Sequence, residues 1–232
     1  FSHEGDPIKH WGAAGTSEGQ LMGPSGIAFD NEQNLVVADH LNNRIQKFSK
    51  DGTFIMSFGN SGEGDLRMPW GVCVGEDNSV YVADWANDRI AKYDSSGSFL
   101  RAFGTSGSGD GEFKNPSGVA VDGEGYIYVT DWGNERLVIL DKDGNFIETL
   151  RGQATISKWA DEYFEGNYEE AEPRSRSNLE PDAGQFGGDP HEESAHIEKF
   201  FWGPTSVKID DSGRIYVTES NRHRVQIYER TR

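Results

Sequence analysis

The sequence predicts an all-β protein, a β-propeller made of four-stranded antiparallel blades. The first observation is a unit of about 45 residues that occurs four times along the chain, which indicates a repeat architecture. The second is that each unit holds short alternating apolar runs separated by Gly, Asp, Asn and Ser, a pattern typical of strands joined by tight turns. Four such strands per unit is the make-up of a propeller blade.

A fixed internal spacing distinguishes the unit from a chance recurrence. In all four copies an acid lies fifteen residues after a Pro, and an Arg lies five residues after the acid. The acid–Arg pairs are Asp39 and Arg44, Asp84 and Arg89, Asp131 and Arg136, and Glu219 and Arg224. On this alignment a single propeller domain, residues 1–232, contains blades at about 23–59, 68–104, 115–151 and 203–232.

The second unit shows how strands are assigned within a blade. Its predicted strands are Gly71–Val74, Val80–Ala83, Arg89–Tyr93 and Phe99–Phe103. The segments between them are rich in Asp, Asn, Ser and Gly, which supply the local hydrogen bonds and positive φ angles of hairpins. The innermost runs, such as Val119-Ala-Val121, are apolar at successive positions, which predicts strands packed between neighbouring blades.

Two short motifs connect the repeat to a known family. The chain reads Pro-x-Gly-[Val/Ile]-Ala-[Val/Phe]-Asp and then Tyr-Val-[Ala/Thr]-Asp-x-x-Asn-x-Arg-[Ile/Leu], most clearly at Pro116–Asp122 and Tyr128–Leu137. This pattern resembles the NHL repeat of β-propellers and covers about 180 of the 232 residues. The fourth copy departs from it at Pro204–Asp210 and with Glu219 in place of Asp. The resemblance implies a ring of six blades, which takes about 270 residues at about 45 per blade.

The two ends of the chain each contain part of a repeat. Phe1–Gly12 aligns with Phe48–Gly59, so residues 1–12 are predicted to form an outermost strand, whereas the last unit stops after its third strand. One end therefore supplies what the other lacks, an arrangement that avoids exposed strand edges in a ring. Three arrangements fit: a fragment of a six-bladed protein, four blades that close alone, or chains that associate. The sequence favours the fragment.

An insertion, residues 152–202, separates the third and fourth units. It contains twelve acidic and four basic residues and no blade pattern. Ser157–Phe164 has the pattern of a short helix with Ser157 as N-cap, and Glu192–Phe201 that of one or two further helical turns. The stretch from Pro173 to Pro190 is predicted to be irregular. In a propeller this loop opens on the same face as the turns that follow the repeat acids, here called the mouth face.

The amino-acid composition argues against some classes of binding partner. The net charge of −17 argues against nucleic acid and against an anionic membrane surface, because both are bound through Lys and Arg. The longest apolar runs fall far short of the roughly 18 residues of a membrane span. The single cysteine, Cys73, cannot form an internal disulfide, so it does not indicate a compartment. A signal peptide is not visible in residues 1–232, and localisation is left open.

The acid–Arg pairs are predicted to be structural. A catalytic pair is needed once, whereas this pair recurs in every blade, as expected of an acid that binds amides near a turn and meets an Arg across the hairpin. Ligand binding is predicted at the mouth face instead, where flat apolar rings suit a peptide, a glycan or the aromatic anchors of a protein partner. The residues assigned to it are Trp70, Trp85, Trp132, His40 and Trp202.

A metal-dependent enzyme is the alternative. The NHL repeat also resembles peptidylglycine-amidating lyase, and propeller lyases and lactone hydrolases such as gluconolactonase hold a cation with His or carboxylates. The six histidines here, His3, His10, His40, His191, His196 and His223, form no His-x-x-x-His or His-Glu-x-x-His spacing. Gly107–Glu112 offers oxygen ligands for Ca²⁺ but lacks the carboxylate density of a dedicated site. We therefore predict no catalytic residues, no metal ligands and no cofactor, with a divalent cation such as Ca²⁺ as the alternative.

The sequence thus predicts a non-catalytic propeller scaffold that binds a protein, peptide or glycan through its mouth face. It predicts neither nucleic-acid binding nor membrane insertion, and it leaves self-association open.

Overall fold

Four antiparallel sheets stand side by side in the computed structural model, which describes residues 3–154, 156 and 158–229. They are numbered blades 1 to 4 along the chain. The inner strands are Pro24–Phe29, Pro69–Val74, Pro116–Val121 and Pro204–Ile209. The second strands are Leu35–Asp39, Val80–Asp84, Ile127–Asp131 and Arg214–Glu219. The third strands are Arg44–Phe48, Arg89–Tyr93, Arg136–Leu140 and Arg224–Glu229. The outer strands are Phe54–Phe58, Phe99–Phe103 and Phe146–Leu150. The predicted fold class is confirmed.

Asp side chains shape the hairpin turns. Asp94 Oδ1 accepts the amides of Ser96 and Ser98, both at 2.9 Å, in the turn between the third and outer strands of blade 2. Asp210 Oδ1 accepts the amides of Ser212 and Arg214, also at 2.9 Å, in the turn between the inner and second strands of blade 4. A side chain that satisfies two turn amides stabilises the reversal locally, as expected of Asx turns.

The blades pack face to face through one apolar position of the third strand. Ile45, Ile90 and Leu137 occupy this position in blades 1 to 3, and each is fully buried against the next blade. The inner strands also approach closely at a Gly in the third position of the strand. A Cβ on Gly71 would lie 2.7 Å from the Cα of Gly118, and one on Gly118 would lie 3.1 Å from the Cα of Ser206. The repeated Gly is therefore required by strand spacing.

The two ends of this arc of blades are apolar and open. Val225 holds in blade 4 the place of Ile45, Ile90 and Leu137, yet it is 54% exposed. At the other end Ile27 is 56% exposed, whereas its counterpart Val72 is buried between blades 1 and 2. Each end thus presents the surface that elsewhere contacts a neighbouring blade. This geometry is that of an arc from a larger ring.

The predicted pairing of residues 1–12 with blade 4 is not seen. Phe1 and Ser2 lie outside the described residues, residues 3–12 form no strand, and the sheet of blade 4 has three strands in the described part of the chain. The segment lies on blade 1 instead. The ring of Trp11 is 4.7 Å from that of Phe48, and Lys9 Nζ donates to Asp51 O at 2.7 Å. Phe58, at the end of the outer strand of blade 1, packs over Gly97 of blade 2. Trp11 packs over Gly52 of blade 1 in the same way, so it lies where the outer strand of a preceding blade would end.

The loops that enter the blades differ in structure. Those before blades 1 and 3 each form a two-stranded parallel ladder, Ala13–Ala14 with Gln20–Leu21 and Thr105–Ser106 with Glu112–Phe113. The loop before blade 2 contains a short 3₁₀ helix, Gly62–Gly64. Further 3₁₀ turns follow the second strands of blades 1 to 3, at His40–Asn42, Trp85–Asn87 and Trp132–Asn134.

The insertion before blade 4 is largely helical. Its helices are α1, Lys158–Gly166, α2, Tyr168–Arg176, and α3, Pro190–His196, with a 3₁₀ turn at Ala183–Phe186. The predicted N-cap Ser157 lies outside the described residues. The stretch from Pro173 to Pro190 was expected to be irregular because of its Pro and Gly content. It is partly regular, because α2 continues through Pro173 to Arg176. None of the described helices is long and apolar enough to cross a membrane.

Candidate functional site

The repeat acid of each blade fixes the loop that enters that blade. In blade 2, Asp84 accepts the amide of Arg67 at 2.7 Å through Oδ1 and the Nε of Arg89 at 2.8 Å through Oδ2. Arg89 Nη2 then donates to Asp65 O at 2.8 Å. The acid therefore binds the amide two residues before the repeat Pro, and the Arg binds the carbonyl four residues before it.

The same contacts recur in the other blades. The amides of Met22, Lys114 and Trp202 donate to Asp39, Asp131 and Glu219 at 2.6 to 2.9 Å. Arg44, Arg136 and Arg224 bind Gln20 O, Glu112 O and Phe200 O at 2.7 to 2.9 Å. The longer Glu219 side chain preserves the arrangement, with Arg224 Nε at 2.6 Å. All four acids are buried, so these ion pairs hold the mouth-face loops rigidly in place.

A second set of contacts joins each turn to the following blade. The residue before the repeat Arg has a φ of 52° in blades 1 to 3, where it is Asn43, Asp88 or Glu135. Its side chain accepts the amide of the residue before the next repeat Pro, namely Met68 at 2.8 Å, Asn115 at 2.7 Å or Gly203 at 2.6 Å. These hydrogen bonds connect neighbouring blades at the mouth face.

Four aromatic rings form a continuous row on this framework, here called the aromatic row. The ring of His40 lies edge-on to Trp70 at 4.9 Å, Trp70 is 5.4 Å from Trp85, and Trp85 is 5.2 Å from Trp132. Trp70 is 38% exposed, while Trp85 and Trp132 are half-buried. His40 is buried, and its Nδ1 lies 3.2 Å from Pro69 O. The Trp rings thus offer the accessible surface and His40 supports one end of the row.

Trp202 makes a separate set of contacts, where the insertion docks. Its ring packs on His191 of α3 at 5.9 Å and under the guanidinium of Arg222 at 5.5 Å. His191 Nδ1 in turn lies 2.7 Å from Glu135 Oε1. Burial raises the pKa of Glu135 above its ordinary value, while the Gly203 amide and His191 act in the opposite direction. The sequence-predicted site residues therefore fall into two groups, the aromatic row and the Trp202 contact.

The remaining predicted features concern metal binding. Across residues 3–154, 156 and 158–229, no group of three or more His, Cys, Asp or Glu side chains is arranged to hold a metal ion. His40 lies against Trp70, and His191 is paired with Glu135. These donors do not fit the cation of a propeller lyase.

Two features of the site were not predicted from the sequence. One is the contact between each turn and the next blade. Its signal was present, because an amide or carboxylate residue precedes the repeat Arg at Asn43, Asp88 and Glu135. The other is the pairing of His191 with Glu135, which are 56 residues apart in the chain. No sequence pattern predicts this pairing, because it depends on how the insertion packs against the blades.

Comparison with known families agrees with the observed architecture. The family described as NHL repeat matches residues 21–48 and 201–228, and a family described as a 6-bladed beta-propeller matches residues 72–168. The first two matches cover units in blades 1 and 4, and the last spans blades 2 and 3 into α2.

Individual relatives match over about the length of one repeat. Protein lin-41 of Caenorhabditis elegans is 47% identical over 49 residues, which are 21% of this chain and 4% of that protein. E3 ubiquitin-protein ligase TRIM71 of Rattus norvegicus is 44% identical over 50 residues, which are 22% of this chain and 6% of that protein. The chain therefore spans only a small part of these relatives.

Among solved structures, virginiamycin B lyase from Staphylococcus aureus has a similar fold. It aligns with a TM-score of 0.50 at 14% sequence identity, and the alignment covers 88% of this chain and 55% of the lyase. At this identity the likeness concerns the fold alone.

Proposed function

Because the chain belongs to the NHL-repeat β-propellers, we propose that it is a non-catalytic scaffold that binds a protein partner through its mouth face. The aromatic row is the contact surface, and Trp202 contributes from its edge. The observation that supports this most is the alignment of Trp70, Trp85 and Trp132 at ring separations of 5.4 and 5.2 Å.

Several physical properties of the row suit protein binding. Trp supplies a large apolar area with little conformational freedom to lose, and it is enriched among the residues that dominate binding energy at interfaces. The two half-buried rings follow acids that are anchored to the incoming loops, Asp84 for Trp85 and Asp131 for Trp132. A rigid surface of this kind loses little entropy when a partner binds.

The relatives support the same class of function. The similar protein from Rattus norvegicus is by name a ubiquitin-protein ligase, an activity directed at proteins. The net charge of −17 argues against a nucleic-acid ligand for this chain. The alternative of a metal-dependent lyase or lactone hydrolase has no specific support, because the likeness to virginiamycin B lyase concerns the fold alone.

A display experiment tests the proposal. A library of protein fragments displayed on phage is selected on the immobilised chain and, in parallel, on Trp85→Ala, which removes the ring that contacts both Trp70 and Trp132. We expect fragments that are enriched on the native chain and lost on the variant. Trp85→Phe, which keeps a flat ring, should restore part of the binding. Ligands that bind all three proteins equally would contradict the proposal, provided that the melting temperatures match.

A further inference from the structure

A groove of about 700 Å³ opens on the mouth face between blades 1 and 2. Blade 1 contributes Asn42 and Asn43, the loop before blade 2 contributes residues between 60 and 67, and blade 2 contributes Asn87 and Arg89. Asn87, which lines the groove, belongs to the same 3₁₀ turn as Trp85, so the groove and the aromatic row share that turn. Its volume is within the range of ligand-binding clefts.

The equivalent position is filled at the other two blade interfaces. Between blades 2 and 3, Asp88 Oδ2 accepts the hydroxyl of Ser106 at 2.6 Å. Between blades 3 and 4, Glu135 Oε1 contacts His191 at 2.7 Å. Asn43 Oδ1 binds the amide of Met68, but Asn43 Nδ2 has no hydrogen-bond partner within the described part of the chain. Of the three interfaces, the first is the one in which the incoming loop leaves the turn residue uncovered.

Loop length explains the difference. Six residues, 60–65, separate Gly59 from Leu66, whereas eight residues, 105–112, separate the equivalent Gly104 from Phe113. The longer loop forms the parallel ladder that carries Ser106 to Asp88. The shorter loop turns back through the 3₁₀ helix Gly62–Gly64 and supplies no such side chain. The groove is therefore produced by a loop two residues shorter than its counterpart.

The groove presents both donors and acceptors. Among the described residues, Asn43 Nδ2 and the guanidinium of Arg67 have no partner, and Arg89 Nη1 reaches Glu63 O only at 3.5 Å. Glu63 and Asp65 also line the groove, and neither forms an ion pair within the described part of the chain. Because Arg89 is already paired with Asp84, the uncompensated charges of the lining are those of Arg67, Glu63 and Asp65, which are of both signs. A neutral group that both donates and accepts hydrogen bonds complements such a lining.

We propose that this groove binds the main-chain amides of an extended peptide segment while apolar side chains of the same segment pack on Trp70 and Trp85. The proposal rests on the proposed function, since it names the form of the partner at the mouth face. A peptide group carries one donor and one acceptor per residue, which matches the mixed lining. The rings of Trp70 and Trp85 add an apolar contact, which hydrogen bonds to main-chain amides cannot provide.

A loop graft tests the groove directly. Residues 105–112 are substituted for residues 60–65, which restores the longer loop and a Ser opposite Asn43 and so fills the groove. Phage-displayed random linear peptides are selected on the native chain, and the selected peptides are titrated against the variants. We expect the graft to weaken binding at least about tenfold. Arg67→Ala and Asn43→Asp should each weaken binding, because each removes a side-chain hydrogen-bond donor from the groove. Arg67→Ala keeps the main-chain hydrogen bond from residue 67 to Asp84, and Asn43→Asp keeps the oxygen that accepts the Met68 amide.

Ser106→Ala is the matched control, because it opens the second interface and leaves the first unchanged. Its affinity should stay within about twofold of the native chain. Native-like affinity in the graft, with an unchanged melting temperature, would overturn the groove proposal, while loss of binding in Trp85→Ala would still support the proposed function. Selection of protein fragments but no linear peptides, or of glycans on an array, would overturn the peptide assignment. Full binding by Trp85→Ala would refute the proposed function itself.

Discussion

The rings of Trp85 and Trp132 lie 5.2 Å apart, although they come from equivalent turns of neighbouring blades. Each ring follows a buried acid that is bonded to the incoming loop of its own blade. The turn of blade 2 is further joined to blade 3 by Asp88, which accepts the amide of Asn115, directly before the inner strand, at 2.7 Å. The contact between the two rings is therefore a consequence of repeat geometry, and it places one apolar surface across two blades.

The first prediction concerns the structural duty of the acid–Arg pairs. Asp131→Ala should lower the free energy of unfolding by about 3–5 kcal/mol, because it leaves the buried Arg136 uncompensated. Chemical denaturation monitored by Trp fluorescence measures the change. The exposed acid Asp110 provides the control, and Asp110→Ala should have little effect. Equal stabilities of the two variants, combined with loss of ligand binding in Asp131→Ala, would show that the pair has a binding role instead.

A second prediction concerns the close approach of the inner strands. Gly71→Ala should destabilise the protein by about 1–3 kcal/mol, because the added Cβ would lie 2.7 Å from both the Cα of Gly118 and Ser117 O, which are backbone atoms. Gly166→Ala is the control, since a Cβ there meets no atom within 4 Å. Thermal unfolding of both variants distinguishes them. A Gly71→Ala protein as stable as Gly166→Ala would contradict the observed strand spacing.

The open end faces give a third prediction. Ile27 and Val225 are 56% and 54% exposed at positions that are buried in the inner blade interfaces, so this 232-residue chain should associate at high concentration. Ile27→Asp with Val225→Asp should reduce association in sedimentation velocity without lowering the melting temperature. Ile147→Asp, on an outer strand and 49% exposed, should leave association unchanged. A native chain that remains monomeric throughout the concentration series would refute this prediction.

A fourth prediction concerns acid stability. The hydroxyl of Ser96 and the Ser98 amide lower the pKa of Asp94, the Asn145 side chain and amide lower that of Asp141, and the Ser212 hydroxyl and Arg214 amide lower that of Asp210. Because these pKa values are lower in the folded state, the resulting stability is full above about pH 4, the ordinary Asp value, and is lost as the pH falls through the folded values.

Melting temperatures between pH 5 and pH 2 measure this effect. The triple variant Asp94→Asn, Asp141→Asn and Asp210→Asn keeps an acceptor oxygen in each turn but removes the titrating group, so its melting temperature should fall less steeply below about pH 4. A slope identical to that of the native chain would show that these turns do not contribute to acid unfolding.

Much of the fold could be predicted from the sequence because the repeat spacing is local and regular. The Pro, the acid and the Arg mark the inner, second and third strands of each blade, and the structure begins or ends a strand at each of them, as at Pro69, Asp84 and Arg89. The shared face of Trp85 and Trp132 follows from their equivalent positions. The contact between the two rings also depends on the distance between the blades. The sequence indicates this distance only indirectly, through the Gly in the inner strand, such as Gly71.

Other features depend on tertiary packing that has no repeat signature. Trp11 packs on blade 1 although the alignment alone placed its segment beside blade 4. The docking of α3 through His191 onto Glu135 joins two parts of the chain with no common motif. The groove between blades 1 and 2 accompanies a loop that is two residues shorter than its counterpart before blade 3, and this difference has a structural meaning only when the two loops are compared.

The most direct test of a binding surface centred on the aromatic row is the affinity of one selected protein fragment for two variants, measured by calorimetry. Trp85→Ala removes the central Trp of the row, and Tyr168→Ala removes a 75% exposed aromatic residue on the insertion. The predicted result is a loss of at least about tenfold in affinity for Trp85→Ala and less than about twofold for Tyr168→Ala. Equal affinities in the two folded variants would contradict the account.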